Sequence, residues 1–328
     1  MNCDIIIPVW NQLKLTQECI DSIIRYTSSS YKLIIIDNGS QAQTKEYLEE
    51  LIRNNQAAVT LIRNETNLGF VKAINQGLKA SHGDYVCLLN NDTKVQKGWL
   101  EELINIAQQS PKIGIINPGG SPNSYKNKEL KGKWVEIGFA TGFCMLIKRE
   151  IINKIGFFDE DYEIGFWEDT DYCQRAKNAD YICVAAKAVY VYHYSHRTFN
   201  FFQRSRVNRL FDRNKELFYS KWGKILRIAC IVFEKDVNVK KVDKILQLAG
   251  NGHMIYLFLK KSSILKVNIE HGNIREYRYP GIFFNFLVLI KILQRQKKKK
   301  KFDNIFTDDQ NFTRKLQFFM PDLKIGLI

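Results

Sequence analysis

A repeated pairing of a short apolar run with an amphipathic segment is the feature that most constrains the fold. Apolar runs bounded by polar turns are typical of buried strands in a parallel sheet. The predicted strands are Cys3–Val9, Leu33–Ile36, Ala58–Ile62 and Tyr85–Leu89, and the predicted helices are Asn11–Tyr26 with Asn11 as its cap, Thr44–Arg53 and Val71–Ala80. Because crossovers between parallel strands are right-handed, this alternation predicts an α/β fold with helices on both faces of the sheet.

The pattern after residue 110 is less regular. Residues 112–133 contain Pro118-Gly119-Gly120, and we interpret them as a loop over the sheet edge. Beyond them, the predicted elements are a strand at Ala140–Lys148, a short helix from Arg149, a helix at Glu168–Asn178, strands at Tyr181–Ala186 and Val189–His193, and a helix at Phe199–Trp222.

A new β-α-β unit begins after Gly223. The predicted order is a strand at Ile225–Phe233, a helix at Val237–Ala249 and strands at Met254–Leu259, Ile264–Ile269 and Leu323–Ile328. We therefore predict two domains, 1–223 and 224–328. Since no helix follows the last strand, the second domain is interpreted as an incomplete Rossmann-like unit.

The charge of the chain is concentrated in its second part. The net charge is +15, and residues 201–328 carry 27 Lys and Arg against 11 Asp and Glu. Such asymmetry indicates a surface that meets phosphoglycans, acidic lipid or nucleic acid. No nucleic-acid-binding motif accompanies it, so nucleic acid is the least expected partner.

An apolar helix is predicted at Ile282–Leu293, followed by the basic run Lys297–Lys301. About a dozen apolar residues are too few to span a bilayer. The helix either lies on an anionic membrane surface with its lysines against the headgroups or is a core helix that ends in solvated lysines.

The seven cysteines form no CxxC pair, and the N-terminus has no basic region followed by a long apolar one. We therefore expect neither a disulfide framework nor a secretion signal, and a cytoplasmic location.

Polar clusters follow each of the first four predicted strands, at Pro8–Asn11, Asp37, Asn67–Phe70 and Asn90–Asp92. Each cluster alone is compatible with a solvated turn. Ligands of open α/β sheets bind at the carboxyl ends of the strands, and carboxylate and amide oxygens suit a hard divalent cation. The four clusters in order therefore predict a crevice for a nucleotide and a metal.

A fifth cluster, Glu168–Asp171, follows the loop Gly156–Trp167, which we call the aromatic loop. At the start of a helix, Asp169 is suited to act as a general base, although acidic residues there also serve as caps. Asp171 is predicted to be structural and paired with Arg175. His193 ends a strand and could complete a metal site, whereas His196, in the following turn, is the poorer candidate.

The ordered motifs resemble those of the family 2 glycosyltransferases, which have the GT-A fold, and are especially similar to the bacterial rhamnosyltransferase-like branch. They are I-I-I-P-V-W-N (5–11), I-I-I-D-N-G-S (34–40), N-x-x-N-L-G-F (64–70), L-N-N-D-T (89–93), A-T-G-F-C-M-L-I-K-R (140–149), F-F-D-E (157–160) and W-E-D-T-D-Y-C-Q-R (167–175). The resemblance spans about residues 2–200. The second unit resembles the beginning of a GT-B-type glycosyltransferase.

The resemblance implies an inverting transfer of a sugar from a dTDP- or UDP-linked donor to a hydroxyl group of a glycan, lipid-linked or protein acceptor, with Asp169 as general base. It implies a metal motif at Asn91 and Asp92, in which Asn90 stands where the family has Asp. Together with the clusters, it predicts donor contacts at Pro8, Val9, Asn11, Asp37, Asn67, Gly69, Phe70, Asn91 and Asp92, sugar or acceptor contacts at Gly142, Phe143, Trp167 and Glu168, and Mg²⁺ or Mn²⁺ at Asp92 and His193.

Two other classes of protein share parts of the pattern. A sugar-phosphate nucleotidyltransferase would carry a Gly-rich, basic loop after the first strand, but Pro8-Val9-Trp10-Asn11 has neither Gly nor Lys. A non-catalytic module that binds nucleotides or anions would use the basic C-terminal region.

Overall fold

The computed structural model describes residues 2–54, 59–124, 127–194, 204–267 and 269–328. The chain forms two compact units, one of residues 1–135 and 139–222 and the other of residues 136–138 and 223–328. His196, Ala58 and the predicted helix start at Phe199 lie outside the described residues.

The first unit alternates strands and helices. Its strands are β1 (Cys3–Val9), β2 (Tyr31–Asn38), β3 (Val59–Asn64), β4 (Tyr85–Leu89), β5 (Thr93–Lys94), β6 (Ile113–Pro118), β7 (Trp134–Ile137, which continues into the second unit), β8 (Cys144–Lys148), β9 (Ile182–Ala186) and β10 (Tyr192–His193). Its helices are α1 (Leu13–Tyr26), α2 (Ala42–Asn54), α3 (Phe70–Ala80), α4 (Trp99–Gln108), α5 (Arg149–Ile155), α6 (Glu168–Asn178) and α7 (Arg204–Trp222).

An eight-stranded sheet with the order β3-β2-β1-β4-β8-β6-β9-β7 organises this unit. The pairs among β1, β2, β3 and β4 are parallel, whereas β8 runs antiparallel to both β4 and β6. The predicted mostly parallel α/β sheet with flanking helices is thus confirmed. Ile5, Ile6 and Ile7 of β1 are all fully buried, which requires packed helices on both faces of the sheet.

Strand β6 corrects the predicted loop over residues 112–133. It lies inside the sheet, between β8 and β9. Gly114 belongs there because a Cβ atom would lie 2.8 Å from Ile151 Cδ1 and 2.9 Å from Tyr181 Cβ. Gly114 therefore permits close packing within a strand.

The predicted cap of α1 is also wrong. The residue that precedes the helix is Gln12, in the left-handed region at φ 60°, and no side chain caps the helix. The side-chain oxygen of Asn11 instead accepts a hydrogen bond from the Gln41 amide at 2.8 Å. Asn11 therefore joins two loops rather than ending a helix.

The second unit contains a wholly parallel sheet with the order β15-β13-β11-β16-β17. Its strands are β11 (Arg227–Val232), β12 (Asp236–Val237), β13 (Met254–Lys260), β14 (Ile264–Leu265), β15 (Ile274–Tyr279), β16 (Asn304–Thr307) and β17 (Lys324–Leu327), and its helices are α8 (Val239–Gly250), α9 (Phe284–Gln296) and α10 (Gln310–Phe319). Short strands β12 and β14 pair separately.

Helix α9 buries its apolar side in the core of the second unit. Phe284, Val288 and Ile292 are fully buried and pack with the buried residues of α10. Of the two interpretations of the apolar segment, the core helix is therefore the correct one. In the described parts of the chain, no helix has both the length and the apolar character that crossing a membrane requires.

Candidate functional site

The loops after β1 and β2 contact each other at the carboxyl edge of the first sheet. The register pairs Val9 with Asp37. The amide of Asn11 donates a hydrogen bond to Ser40 Oγ at 2.8 Å. Pro8 is half-buried, but Val9 is fully buried, so its side chain is a core residue and only its backbone is available to a ligand.

Asp37 lies fully buried in this corner and already has protein partners. Its carboxylate forms an ion pair with Arg63 and accepts a hydrogen bond from the Ser40 amide at 2.9 Å. A carboxylate has about four acceptor positions, and these two partners do not occupy all of them, although none of the Asp37 side chain is exposed. The contact of Asp37 with a nucleotide base stays a prediction. Its ion-pair partner Arg63 was not predicted from the sequence.

The third cluster packs against the aromatic loop that precedes α6. Asn67 Oδ1 accepts hydrogen bonds from Asn38 Nδ2 at 2.8 Å and from the Gly69 amide at 2.9 Å. The amide of Phe70, the first residue of α3, donates to the Ile164 carbonyl at 3.3 Å. The amide of Val71 likewise donates to the Glu163 carbonyl at 3.4 Å, so two donors at this helix N-terminus are used within the protein.

Gly69 is required where α3 begins. Its φ is +91°, and a Cβ atom would lie 3.1 Å from the Glu163 carbonyl oxygen. Both the backbone conformation and the close approach of the aromatic loop favour glycine.

The fourth cluster brings Asp92 to His193. Oδ1 of Asp92 lies 3.1 Å from Nε2 of His193, and only 4% of Asp92 is exposed. The antiparallel pair of β5 and β10 places His193 opposite Thr93. The His193 ring also stacks on Phe143, with ring centres 4.7 Å apart and planes 6° from parallel. Both side chains are therefore held in defined orientations.

Thr16 connects the first and fourth clusters. Asn91 Nδ2 donates to Thr16 Oγ1 at 2.9 Å, and Thr16 Oγ1 donates to the Asn11 carbonyl at 3.4 Å. Thr16 lies inside α1, where the sequence indicated only helical spacing. The role of Thr16 in linking the two clusters depends on where α1 packs on the sheet, which the sequence does not reveal.

The residues around Asp92 fit a divalent cation that takes most of its ligands from a substrate. Asp92 Oδ1 and His193 Nε2, which lie 3.1 Å apart, would hold the ion together with oxygens of the substrate. The side-chain oxygen of Asn90 is buried without a hydrogen-bond partner. Within the described ranges, no cluster of three or more His, Cys, Asp or Glu residues is arranged for a metal. The protein thus offers a partial ligand set.

Gly142 and Phe143 join this group to the acidic start of α6. The Gly142 amide donates to Asp169 Oδ2 at 2.9 Å, while the Phe143 carbonyl accepts from the Asn90 amide at 2.9 Å. Because Phe143 also stacks on His193, one dipeptide contacts both the Asp169 carboxylate and the imidazole that lies beside Asp92.

Asp169 is half-buried and held by three hydrogen bonds. Besides the bond from Gly142, its Oδ1 accepts from the amide and the hydroxyl of Thr170 at 2.7 and 3.1 Å. Burial raises the pKa of Asp169, and these donors oppose the rise. A carboxyl with a raised pKa is better matched to accept a proton near neutral pH.

Glu168 lies beside Asp169 and is 6% exposed. Burial, and secondly the Asp169 charge, raise the pKa of Glu168 well above its usual range. Its Oε2 has no hydrogen-bond partner, and neither does the buried Nε1 atom of Trp167. Each of these unpartnered polar atoms is suited to bind a hydroxyl group, since burial without a partner is costly.

The aromatic loop before α6 has a strained backbone that α7 holds in place. Phe166 and Trp167 both have φ of 72°, which bulky residues rarely adopt. Asn214 of α7 is fully buried, and its Nδ2 donates to the carbonyls of Tyr162 and Gly165, each at 2.8 Å. The sequence offered no signal for Asn214, because it occupies an ordinary helical position.

Asp171 has the structural role that the sequence predicts. Its Oδ2 accepts from Arg175 Nε at 3.0 Å, and its Oδ1 accepts from Trp222 Nε1 at 2.8 Å. The predicted Asp171–Arg175 pair is therefore confirmed.

Comparison with known proteins identifies a family and several relatives that resemble part of this chain. Residues 4–156 match the model of glycosyl transferase family 2. The chain is 25% identical over 193 residues to the glycosyltransferase AglE of Haloferax volcanii, covering 54% of this chain and 62% of AglE. It is also 25% identical over 209 residues to the uncharacterized glycosyltransferase EpsJ of Bacillus subtilis, covering 57% of this chain and 60% of EpsJ. The chain thus spans less than two thirds of the length of these curated relatives.

The fold is shared with a solved glycosyltransferase structure. The crystal structure of GalNAc-T7 with UDP, GalNAc and Mn²⁺ matches with a TM-score of 0.52 and 18% identity, over 59% of this chain and 44% of that one. Together with the match of residues 4–156 to glycosyl transferase family 2, this likeness shows that the N-terminal part of the chain has the GT-A fold.

Proposed function

We propose that the chain is an inverting glycosyltransferase that moves a sugar from a nucleotide diphosphate donor to an acceptor hydroxyl. The observation that carries the proposal is the Gly142–Phe143 dipeptide, which contacts the carboxylate of Asp169 and stacks on the imidazole beside Asp92. A base for the acceptor and a site for the donor diphosphate then lie on either side of one short segment.

The donor binds along the carboxyl edge of the first sheet in this proposal. Asp37 contacts the base, and the loops that hold Pro8, Asn11 and Asn67 surround the nucleoside. Asn91 and Asp92 face the diphosphate. A dTDP- or UDP-linked hexose or deoxyhexose is the proposed donor, in agreement with the predicted rhamnosyltransferase-like branch.

Asp169 accepts the proton of the acceptor hydroxyl as that oxygen attacks the anomeric carbon, and the configuration inverts. Gly142 and Thr170 keep its carboxylate oriented through their hydrogen bonds. Glu168 and Trp167 bind sugar or acceptor hydroxyl groups through their unpartnered polar atoms. The acceptor is a glycan, a lipid-linked sugar or a protein.

A divalent cation is part of the proposal, held by Asp92 and His193. When bound, Mg²⁺ or Mn²⁺ supplies positive charge that stabilises the leaving diphosphate. We further propose that residues 1–223 form the transferase domain and residues 224–328 a separate basic domain.

The test is a donor screen on the purified chain. Thermal shift and nucleotide release are measured with UDP-, dTDP- and GDP-sugars, each with Mn²⁺ and with EDTA. At least one donor is expected to stabilise the chain in a metal-dependent manner and to release its nucleotide. The absence of both effects with every donor would contradict the proposal.

A further inference from the structure

One edge of the second sheet combines a basic run with exposed aromatic residues. Lys297–Lys301 follow α9 and precede β16, whereas Phe318 and Phe319 end α10 and precede β17. Strands β16 and β17 are parallel neighbours, with Asn304 opposite Lys324. The two segments therefore reach the same edge of the sheet. We call Lys297–Lys301 with Phe318 and Phe319 the Lys–Phe edge.

The packing of the two helices supports this arrangement. Val288 and Ile292 of α9 lie in the same core cluster as Phe312 and Leu316 of α10. Both helices thus cover one face of the sheet, and both run toward the edge where β16 and β17 begin.

The aromatic residues of this edge are unusually exposed. Phe318 is 82% and Phe319 is 53% exposed, and their rings pack edge to face with centres 5.4 Å apart. Two adjacent exposed phenylalanines form an apolar projection that water solvates poorly, and such features mark interaction sites.

The charge around the two rings is mostly positive. All five lysines of Lys297–Lys301 are exposed. Arg314 and Lys315 are exposed as well, each four residues before one of the phenylalanines, and so on the same side of α10. The acidic residues nearby in sequence are Asp303 and Asp322, and Asp303 accepts a hydrogen bond from the Arg227 amide. The surface is therefore complementary to a dense layer of anions.

We infer that the Lys–Phe edge docks on a membrane surface that contains anionic lipid. The rings of Phe318 and Phe319 enter the headgroup region, and the lysines contact lipid phosphates. An apolar tip surrounded by basic side chains is the arrangement that binds such interfaces. A single-stranded nucleic acid needs ring faces along a groove for successive bases, whereas here both rings end one helix and pack on each other.

This inference differs from the one that the sequence suggested. Phe284, Val288 and Ile292 of α9 lie inside the core, so the proposed membrane contact is made instead by the end of α10. It does not depend on the proposed enzymatic function.

The test is sedimentation of the full chain with vesicles. Pure phosphatidylcholine vesicles are compared with vesicles that contain about one third phosphatidylglycerol, at low and high salt. The chain is expected to sediment with the anionic vesicles only, and less at high salt. Replacing Lys297–Lys301 by glutamine is expected to weaken binding by about 5,000-fold, since each of the five lysines near the surface contributes about a factor of five.

The aromatic contribution is tested with a matched control. The F318S/F319S variant is expected to bind anionic vesicles about tenfold more weakly, because partial burial of two rings is lost. The control changes Ile282, Phe283 and Phe286 to serine, an exposed apolar group at the start of α9 that lies away from this edge. It is expected to bind like the wild type. The thermal midpoint of each variant verifies folding.

A third variant reports insertion directly. In F318W, the indole emission is expected to shift to shorter wavelength on anionic vesicles, relative to the unsubstituted chain. Loss of binding in the Ile282, Phe283 and Phe286 variant alone would overturn the assignment. So would unchanged binding of F318S/F319S, or binding to polyuridylate without binding to vesicles.

Discussion

The amide of Gly142 donates a hydrogen bond to Oδ2 of Asp169 at 2.9 Å. The contact fixes the carboxylate against the segment that leads into β8. A Cβ atom at position 142 would lie 3.7 Å from Asp169 Cβ and from Glu168 Oε1. The two carboxyl groups therefore lie close to a backbone segment with little side-chain bulk, which leaves room for a substrate.

The first prediction concerns the base. Asp169→Asn keeps the shape of the side chain and removes its ability to accept a proton. The rate of transfer is expected to fall about 100- to 10,000-fold, the usual contribution of a general base. Donor affinity, measured by calorimetry, is expected to stay near the wild-type value. The matched control is Asp180→Asn, the same change at an exposed residue. A normal rate in Asp169→Asn would exclude this residue as the base.

The second prediction concerns the metal. Asp92→Ala is expected to abolish the metal-dependent part of donor binding, and His193→Ala to weaken it by a smaller factor, because the carboxylate carries the charge. Calorimetric titration of the donor with Mn²⁺ and with EDTA measures both effects. His82→Ala, near the opposite edge of the sheet, serves as the control for His193. Equal donor affinity in Asp92→Ala and wild type would refute this site.

The third prediction follows from the raised pKa of Glu168. A carboxyl whose pKa is higher in the folded state stabilises the fold below its unfolded pKa and loses that contribution as pH rises through the folded value. At neutral pH, ionisation of Glu168 therefore opposes folding. Glu168→Gln is expected to raise the thermal midpoint at neutral pH and to have little effect at acidic pH. A pH-independent difference between the two proteins would contradict the proposed cause.

The fourth prediction concerns the aromatic loop. Asn214→Leu leaves the carbonyls of Tyr162 and Gly165 without their donor in a buried place. The free energy of unfolding is expected to fall by about 1–3 kcal/mol, measured with urea. Asn208→Ala, an exposed change on the same helix, is expected to cost well under that amount. Similar losses for both variants would show that Asn214 has no special role.

The regular part of the fold could be predicted from sequence because its signals are local. The apolar run Cys3–Val9 and the acidic start of Glu168–Asn178 mark elements whose bounds agree with the structure. Strand Ile113–Pro118 could not be recognised in this way. It contains Gly114 and ends in Pro118, and it forms because β8 and β9 pair with it from both sides.

In the candidate site, too, some features have local sequence signals and others depend on tertiary packing. The expected meeting of Asp92 with His193 required only that both follow strands of one sheet. The contacts of Thr16, Arg63 and Asn214 depend on how helices and loops pack, which no local pattern encodes. Sequence patterns therefore identified Asp92 and His193, which lie side by side, but not the partners Thr16, Arg63 and Asn214.

Strand β8 runs against its neighbours, so that its first residue, Cys144, lies opposite Leu89. Side chains of a strand alternate between its two faces, and a shift by one residue reverses all of them. An inserted or deleted residue in β8 would thus pull Phe143 away from His193 and Gly142 away from Asp169 at once. Homologous chains are accordingly expected to vary in length in the loop between β6 and β7 and not in β8. The number of residues in β8 determines whether Phe143 meets His193 and Gly142 meets Asp169.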